Sequence, residues 1–222
     1  MIFGEKFYPK LRKMSPWRQS LFALVLANRQ LANFALYVEQ GEKSGLNEFI
    51  FCLKTLWHFH QEKFNHIDLE KTLDVFTPFV PVIDDENYNL GDMYALDSAL
   101  SLTAAFDAII MHEGNEAEIA SRTSLSGVLR LVQIDYDNDV DDDVLRDDER
   151  VDNEVNFQVA IFELLATAKR DIDLVHNLII MAQNGNISNI GIQMPQSLLN
   201  VTKDFSVKPK KKEKAFKERP YN

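Results

Sequence analysis

Carboxylates are the chemically active side chains most concentrated in this sequence, and calcium binding is the chemistry they suggest first. Between Asp135 and Glu154 eleven carboxylates face only Arg146 and Arg150. A twelve-residue calcium loop that starts at Asp135 has Val140 where a glycine must make the turn and Arg146 where a bidentate glutamate belongs. A start two residues later also lacks the glycine. The pattern therefore predicts a solvated acidic loop rather than a calcium site.

The five histidines do not combine into a recognisable metal site. His58 and His60 are two residues apart, so on a helix they point to different faces. His112 is followed by a glutamate but lacks the second histidine of a zincin helix. Asp173 and His176 form only one imperfect half of a di-iron motif. We predict no metal and no cofactor.

Signatures of nucleotide and acyl chemistry do not occur in the sequence. It has no phosphate-binding glycine loop, no Walker lysine and no Gly-x-Ser-x-Gly elbow. The single cysteine, Cys52, lies among Phe49, Ile50 and Leu53, which favours a buried, inert thiol in a reducing compartment. The sequence thus favours a protein that is not an enzyme, without excluding one.

The charge of the chain is distributed unevenly. The whole sequence carries a net −10, but residues 193–222 carry a net +5, so the remainder carries −15. The acidic body should repel nucleic acid and anionic membranes. Residues 193–222 are predicted to be a flexible basic tail. Its segment 208–219 offers at most a weak, salt-sensitive contact with nucleic acid.

The elements that must position these side chains are helices. Apolar residues recur at steps of three and four over most of the chain, and glycine and proline are few. We predict an all-α, bundle-like single domain over 15–192, preceded by a lead-in over 1–14. It has six helices, near 15–40, 46–64, 68–75, 92–112, 116–133 and 151–184.

The last of these segments, Val151 to Asn184, reads as one long central helix of roughly nine turns. Val155, Val159 and Phe162 lie on the face assigned to the core. Gly185 stands where a left-handed residue would end the helix.

In the helix near 92–112, small side chains follow one another at helical spacing: Asp97, Ser101, Ala104 and Ala108. This stripe is either a seam for close helix packing or a small solvent-facing surface, and the sequence does not decide between them.

A cytoplasmic location is predicted. No stretch approaches the roughly 20 consecutive apolar residues of a membrane span. Lys10, Arg12 and Lys13 precede the apolar run Leu21–Ala27 as in a signal peptide, but Pro16 lies between them. Helical spacing also continues past this run, which favours a core helix.

Several segments in 15–192 carry a family resemblance. They are Trp17, Phe22, Leu26 and Arg29, then Asn33-Phe34-Ala35, Leu56-Trp57, Leu69-Glu70-Lys71, Tyr94-Ala95-Leu96-Asp97, Ser121-Arg122-Thr123-Ser124, Phe157-Gln158, Ile161-Phe162-Glu163-Leu164-Leu165, Arg170-Asp171-Ile172 and Ser188-Asn189-Ile190-Gly191-Ile192. In order and spacing they resemble the YjaG-like family of bacterial proteins, a domain of unknown function. The basic tail after Ile192 departs from the family pattern.

The resemblance implies an all-helical cytosolic protein and an association with bacterial signalling, but no activity. We therefore expect a non-catalytic binding or regulatory module that acts on a protein partner or by self-association. One alternative is an enzyme whose site is built from the charges in the matched segments, Arg29, Asp97, Glu163, Arg170 and Asp171. The other is weak nucleic-acid association through the basic tail.

Candidate partner-binding residues are Phe51, Phe59, Arg29, Asp97, Arg170 and Asp171. Arg29 and Asp97 fall in apolar segments, so each should pair with an opposite charge from another helix, with one another as one option. Phe51 and Phe59 project opposite the apolar face of their helix. We expect them to be buried by a second layer of the chain, with self-association as the alternative if they are exposed.

Overall fold

The computed structural model describes residues 2–62, 66–83, 88–136, 141–203 and 205. These residues form eleven α-helices and no β-strand, which confirms the prediction of a single all-α domain. The helices are α1 Phe7–Arg12, α2 Pro16–Arg29, α3 Leu31–Gln40, α4 Leu46–Gln61, α5 Leu69–Phe76, α6 Leu90–Ile110, α7 Glu116–Asp135, α8 Asp142–Arg146, α9 Glu149–Thr167, α10 Ile172–Ala182 and α11 Gln196–Lys203.

Helix α2 forms the centre of the fold. Pro16 occupies its first turn, where no amide donor is needed. Every residue from Gln19 to Asn28 is buried, because α4, α6, α7, α9 and α10 all pack around this helix. A helix that is apolar on all sides is expected at such a position.

The predicted helix 15–40 is in fact two helices, α2 and α3, which meet at Gln30 with a bend of 42°. The bend turns α3 away from α2, so that Phe34 stacks on Phe49 of α4 at 4.8 Å between ring centroids. The buried Gln30 side chain donates to Ser101 Oγ of α6 at 3.0 Å, which fixes the corner. Periodicity alone did not reveal this break, because apolar residues continue on both sides of it.

The predicted long central helix 151–184 is also wrong as one element. The chain leaves helical geometry at Ala168 and starts α10 after Asp171, whose carboxylate accepts a hydrogen bond from the Leu174 amide at 2.8 Å. Arg18 of α2 donates to the freed Ala168 carbonyl oxygen at 3.1 Å. Gly185 does adopt the left-handed conformation, with φ +69°, just beyond the end of α10.

The packed structure extends beyond both ends of 15–192. In the segment expected to be a lead-in, Leu11 of α1 is fully buried and Phe3 is 6% exposed. In the segment expected to be a flexible tail, α11 forms, Leu198 is buried, and Phe205 is buried and accepts a hydrogen bond from Gln61. Residues 206–222, which include the basic segment 208–219, lie outside the described residues.

The stripe on α6 is a packing seam, which settles the alternative left open above. Asp97, Ser101, Ala104 and Ala108 are all buried.

By length and composition α6 is the one described helix that could cross a membrane, so the expectation that no such stretch exists was too strong. However, 61% of its apolar window is buried inside the fold, as in a core helix.

Candidate functional site

The polar residues of the matched segments meet in the interior. Arg29, at the end of α2, donates from Nη1 to Glu154 Oε2 of α9 at 2.5 Å. The Arg29 guanidinium also lies over the Phe157 ring, 4.1 Å from its centroid. The Glu154 side chain has no exposed surface and the Arg29 side chain is 17% exposed. The ion pair therefore ties two helices together from within.

The second carboxylate oxygen of Glu154 is also satisfied. Ser124 Oγ of α7 donates to Oε1 at 2.6 Å, and Gln158 Nε2 donates to it at 2.7 Å. Gln158 in turn bonds Ser121 of α7 through both its amide oxygen and its amide nitrogen. The three hydrogen bonds that the Glu154 carboxylate accepts offset the cost of removing it from water.

Asn189, in the turn after α10, joins this cluster to α3. Asn33 Nδ2 donates to Asn189 Oδ1 at 2.9 Å, and Asn189 Nδ2 donates to the Ser124 carbonyl oxygen at 2.9 Å. The turn is held by Ser188, whose hydroxyl accepts from the Ile192 amide at 3.1 Å. Gly191 adopts φ +83°, where a side chain would add strain.

The second buried ion pair joins α6 and α7. Arg130 Nη1 donates to Asp97 Oδ2 at 2.9 Å. Burial raises the pKa of Asp97, and the bond and charge of Arg130 oppose that rise. Gly127 allows this approach, because a Cβ there would lie 3.2 Å from Asp97 Oδ2 and 3.5 Å from Asn189 Nδ2.

We call these residues the buried polar network: Arg29, Asn33, Asp97, Ser121, Ser124, Arg130, Glu154, Gln158 and Asn189. Arg29 and Asp97 each pair with an opposite charge from another helix, as predicted, but not with one another. The charges are neutralised inside the fold and line none of the described clefts. Their arrangement ties α2 to α9 and α6 to α7.

The remaining predicted residues lie apart from the network. Glu163 and Arg170 are exposed, and Asp171 is the N-cap of α10. The expected burial of Phe51 is wrong, since it is 49% exposed. Phe59 is half-buried and lies 5.7 Å from the Arg170 guanidinium, measured at the ring centroid. The five charges of the enzyme alternative therefore do not form one site.

The buried His60 and Cys52 are both held by hydrogen bonds inside the fold. Ser20 Oγ donates to the Ala105 carbonyl oxygen at 2.6 Å, so the buried His60 must donate from Nε2 to Ser20 Oγ at 2.9 Å. Burial, together with the charge of Arg170, lowers the pKa of His60 to about 3. Burial raises the pKa of Cys52 to about 12, and its thiol donates to the Thr72 carbonyl oxygen. No group of three potential metal ligands occurs among the described residues.

Sequence reasoning missed two kinds of residue. Glu154 was grouped with the solvated acidic loop, yet it is fully buried. Its spacing carried the signal, because Val151, Glu154, Gln158 and Ile161 follow steps of three, four and three along one face of α9. The other missed feature is a cleft between α6 and α7 lined by Leu100, Met111 and Ile119, for which the periodicity gave no sign.

Comparison with known proteins places the chain in a family. Residues 6–193 match the family described as "Protein of unknown function (DUF416)", and the chain belongs to it. The uncharacterized protein YjaG of Salmonella typhimurium is 27% identical over 190 residues, which cover 84% of this chain and 96% of that protein. An uncharacterized protein of Haemophilus influenzae is 27% identical over 192 residues, covering 85% of this chain and 97% of that one. The resemblance to a YjaG-like family is thereby confirmed.

The fold has also been observed in a crystal structure. A DUF416 family protein from Shewanella baltica, solved at 1.91 Å, superimposes with a TM-score of 0.74. It is 24% identical, and the match covers 84% of this chain and 98% of that chain. At this level of identity the comparison supports the helical fold and carries no information about activity.

Proposed function

We propose that this protein is a non-catalytic binding module that acts in the cytoplasm on a protein partner. The observation that carries the proposal is the closure of the buried polar network. A catalytic group must reach a substrate in a cleft, whereas the carboxylate of Glu154 is surrounded by Arg29, Ser124 and Gln158. The Glu154 side chain has no exposed surface, so a substrate could reach its carboxylate only by displacing the helices around it.

Binding is supported by the apolar side chains that remain on the surface. Phe51, Val82, Met111 and Ile180 are exposed by 49%, 90%, 60% and 64%. Val82 and Met111 each line a cleft, and apolar side chains grouped in a cleft are a feature of interaction sites, whereas singly exposed ones are common on any protein surface. An association with bacterial signalling is part of the proposal only through the family resemblance.

The two alternatives have less support. The enzyme alternative requires Arg29, Asp97 and Arg170 in one site, and they lie in three different surroundings. Nucleic-acid association would depend on the basic segment 208–219, which lies outside the described residues. The −15 charge of residues 1–192 opposes it.

Photo-cross-linking in bacterial cells tests the proposal. A photoreactive amino acid is placed in turn at Phe51, Val82, Met111 and Ile180, which are exposed and belong to different segments of the chain. A binding module should give an adduct of discrete mass from one position, and an excess of the unlabelled chain should compete it away. The absence of a competable adduct from all four positions would contradict a binding function.

A further inference from the structure

The cleft between α6 and α7 has an apolar floor that is open to solvent. It encloses about 300 Å³ and is lined in part by Leu100, Ala104, Met111 and Ile119. Leu100, Met111 and Ile119 are 39%, 60% and 40% exposed. This volume is at the lower limit for small-molecule sites, but it suits a few side chains of a docked peptide. We call this cleft the α6–α7 groove.

The rim of the α6–α7 groove is acidic. Asp107, Glu113 and Glu116 line it, and no lysine or arginine does. Glu116 is satisfied within the fold, because its carboxylate accepts from the amides of Glu113 at 2.7 Å and Gly114 at 3.0 Å. The side chain of Asp107 has no hydrogen bond or ion pair with any described residue.

Among the described residues, no cation pairs with the half-buried Asp107 carboxylate. Burial raises its pKa, and the neighbouring charges of Glu116 and Glu113 raise it further. A cation beside the Asp107 carboxylate would offset both its burial and the repulsion from Glu113 and Glu116. An apolar floor beside an uncompensated carboxylate thus favours a partner that carries an apolar side chain next to a lysine or arginine.

We propose that the α6–α7 groove binds a cationic amphipathic helix of a partner protein, with apolar side chains on Leu100, Met111 and Ile119 and a lysine or arginine on Asp107. This inference rests on the proposed binding function. Docking of one helix between two others is a recurrent mode of recognition, and a flexible methionine adapts to different side chains. A second copy of this chain is a poor occupant, because a two-fold contact through this face would bring its carboxylates against one another.

Peptide display tests the assignment. A random sixteen-residue library is selected on the full chain, and clones that also bind the Asp107→Asn, Met111→Ser double variant are removed. The retained peptides should be enriched in lysine and arginine beside leucine or phenylalanine. Retained peptides without cationic enrichment, or none retained, would overturn the proposal.

The strongest peptide is then measured by fluorescence anisotropy. Met111→Ser should weaken binding by about tenfold, since it removes exposed apolar contact without touching the core. Asp107→Asn should weaken it several-fold and reduce its dependence on salt. Val75→Ser, at an exposed position of α5, is the matched control and should leave the affinity unchanged, because Val75 is 46% exposed and does not line the α6–α7 groove. Equal weakening by the control would contradict a specific groove.

Two further outcomes identify a different occupant and would overturn the proposal. Tighter peptide binding by a chain that ends at Phe205, together with binding of a synthetic 206–222 peptide, would show that the protein's own tail occupies the groove. Loss of a dimer in the Met111→Ser variant would show that a second copy does. A competable photo-adduct at Phe51, Val82 or Ile180 but not at Met111 would refute the groove and leave the binding function standing.

Discussion

Arg29 and Glu154 are 125 residues apart in the chain, and their side chains meet at 2.5 Å in the interior. The contact joins α2, at the centre of the fold, to α9, and the hydrogen bonds of Glu154 to Ser124 extend it to α7. The polar residues in the matched segments thus hold helices that are distant in sequence. This explains why their presence predicts a fold without predicting an activity.

The Arg29–Glu154 pair should be strongly coupled. Arg29→Met leaves the buried Glu154 carboxylate without its cation, so we expect a loss of about 3–5 kcal/mol in the free energy of unfolding. The Arg29→Met, Glu154→Leu double variant should lose less than the sum of the single losses. Urea unfolding measures each value, and additive losses would contradict the pairing. Arg146→Met, from an exposed pair with Asp143, is the control and should cost less than about 1 kcal/mol.

The two buried ion pairs should behave as separate units. Arg29 and Asp97 do not contact each other, whereas Asp97 pairs with Arg130. Unfolding losses for Arg29→Ala and Asp97→Ala should therefore add within about 0.5 kcal/mol. The losses for Asp97→Ala and Arg130→Ala should not add. Strong coupling between Arg29→Ala and Asp97→Ala, with none between Asp97→Ala and Arg130→Ala, would show that the ion pairs are misassigned.

The stability of the protein should fall in acid through His60. Its pKa is about 3 in the folded chain and about 6.5 in an ordinary peptide, so the unfolded state binds the proton first. Stability from this group is complete above about pH 6.5. It is lost as the pH falls towards 3, at up to about 1.4 kcal/mol per unit.

Urea unfolding between pH 8 and pH 4 measures this effect. His60→Gln should have a shallower dependence on pH than the natural chain. Ser20→Ala removes the hydrogen bond but keeps the imidazole buried, so it should lower stability at every pH and retain the steep dependence. Identical slopes for the natural chain and His60→Gln would refute the assignment.

The end of the chain should have two parts with different roles. Ending the chain at Ile192 removes buried Leu198 and Phe205. Burial contributes about 1.5–3 kcal/mol for each side chain, so the thermal midpoint should fall by roughly 10 °C or more. Ending it at Phe205 removes only residues 206–222. This should leave the midpoint within a few degrees, because these residues are rich in lysine and poor in apolar side chains. Equal midpoints for the two truncations would contradict a structural role for α11.

The exposed Phe51 makes self-association testable. The aromatic ring is 49% exposed on α4, and Phe59 is half-buried on the same helix. If these rings mediate a dimer, the Phe51→Ser, Phe59→Ser variant should sediment as a monomer at concentrations where the natural chain is dimeric. An unchanged mass would exclude this surface as the contact.

The sequence predicted correctly that the chain is helical, but it did not predict where several helices end. The predicted helix near 68–75 begins at Asp68, which is the N-cap of α5, and its side chain accepts from the Lys71 amide at 3.1 Å. The breaks at Gln30 and Ala168 were missed, since apolar spacing continues across both. They depend on contacts with distant residues, Ser101 in one case and Arg18 in the other, which local patterns do not encode.

The candidate sites were predictable only in part. The need of Arg29 and Asp97 for buried partners followed from their apolar surroundings, but Glu154 and Arg130 could not be chosen among 34 acids and 24 bases without the fold. The α6–α7 groove depends on how α7 turns back after Gly114, which adopts φ +90°. Without knowledge of that turn, the sequence pattern gives no reason to place Leu100 and Met111 on the surface and not in the core.

Two matched carboxylate-to-amide variants, Glu154→Gln and Asp107→Asn, separate the structural role of the buried polar network from the binding role proposed for the α6–α7 groove. The affinity of each variant for the selected peptide is measured at a temperature below both unfolding midpoints. We expect Glu154→Gln to lower the midpoint and keep the natural affinity, and Asp107→Asn to keep the midpoint and weaken binding several-fold. Lost affinity in Glu154→Gln with natural affinity in Asp107→Asn would contradict it.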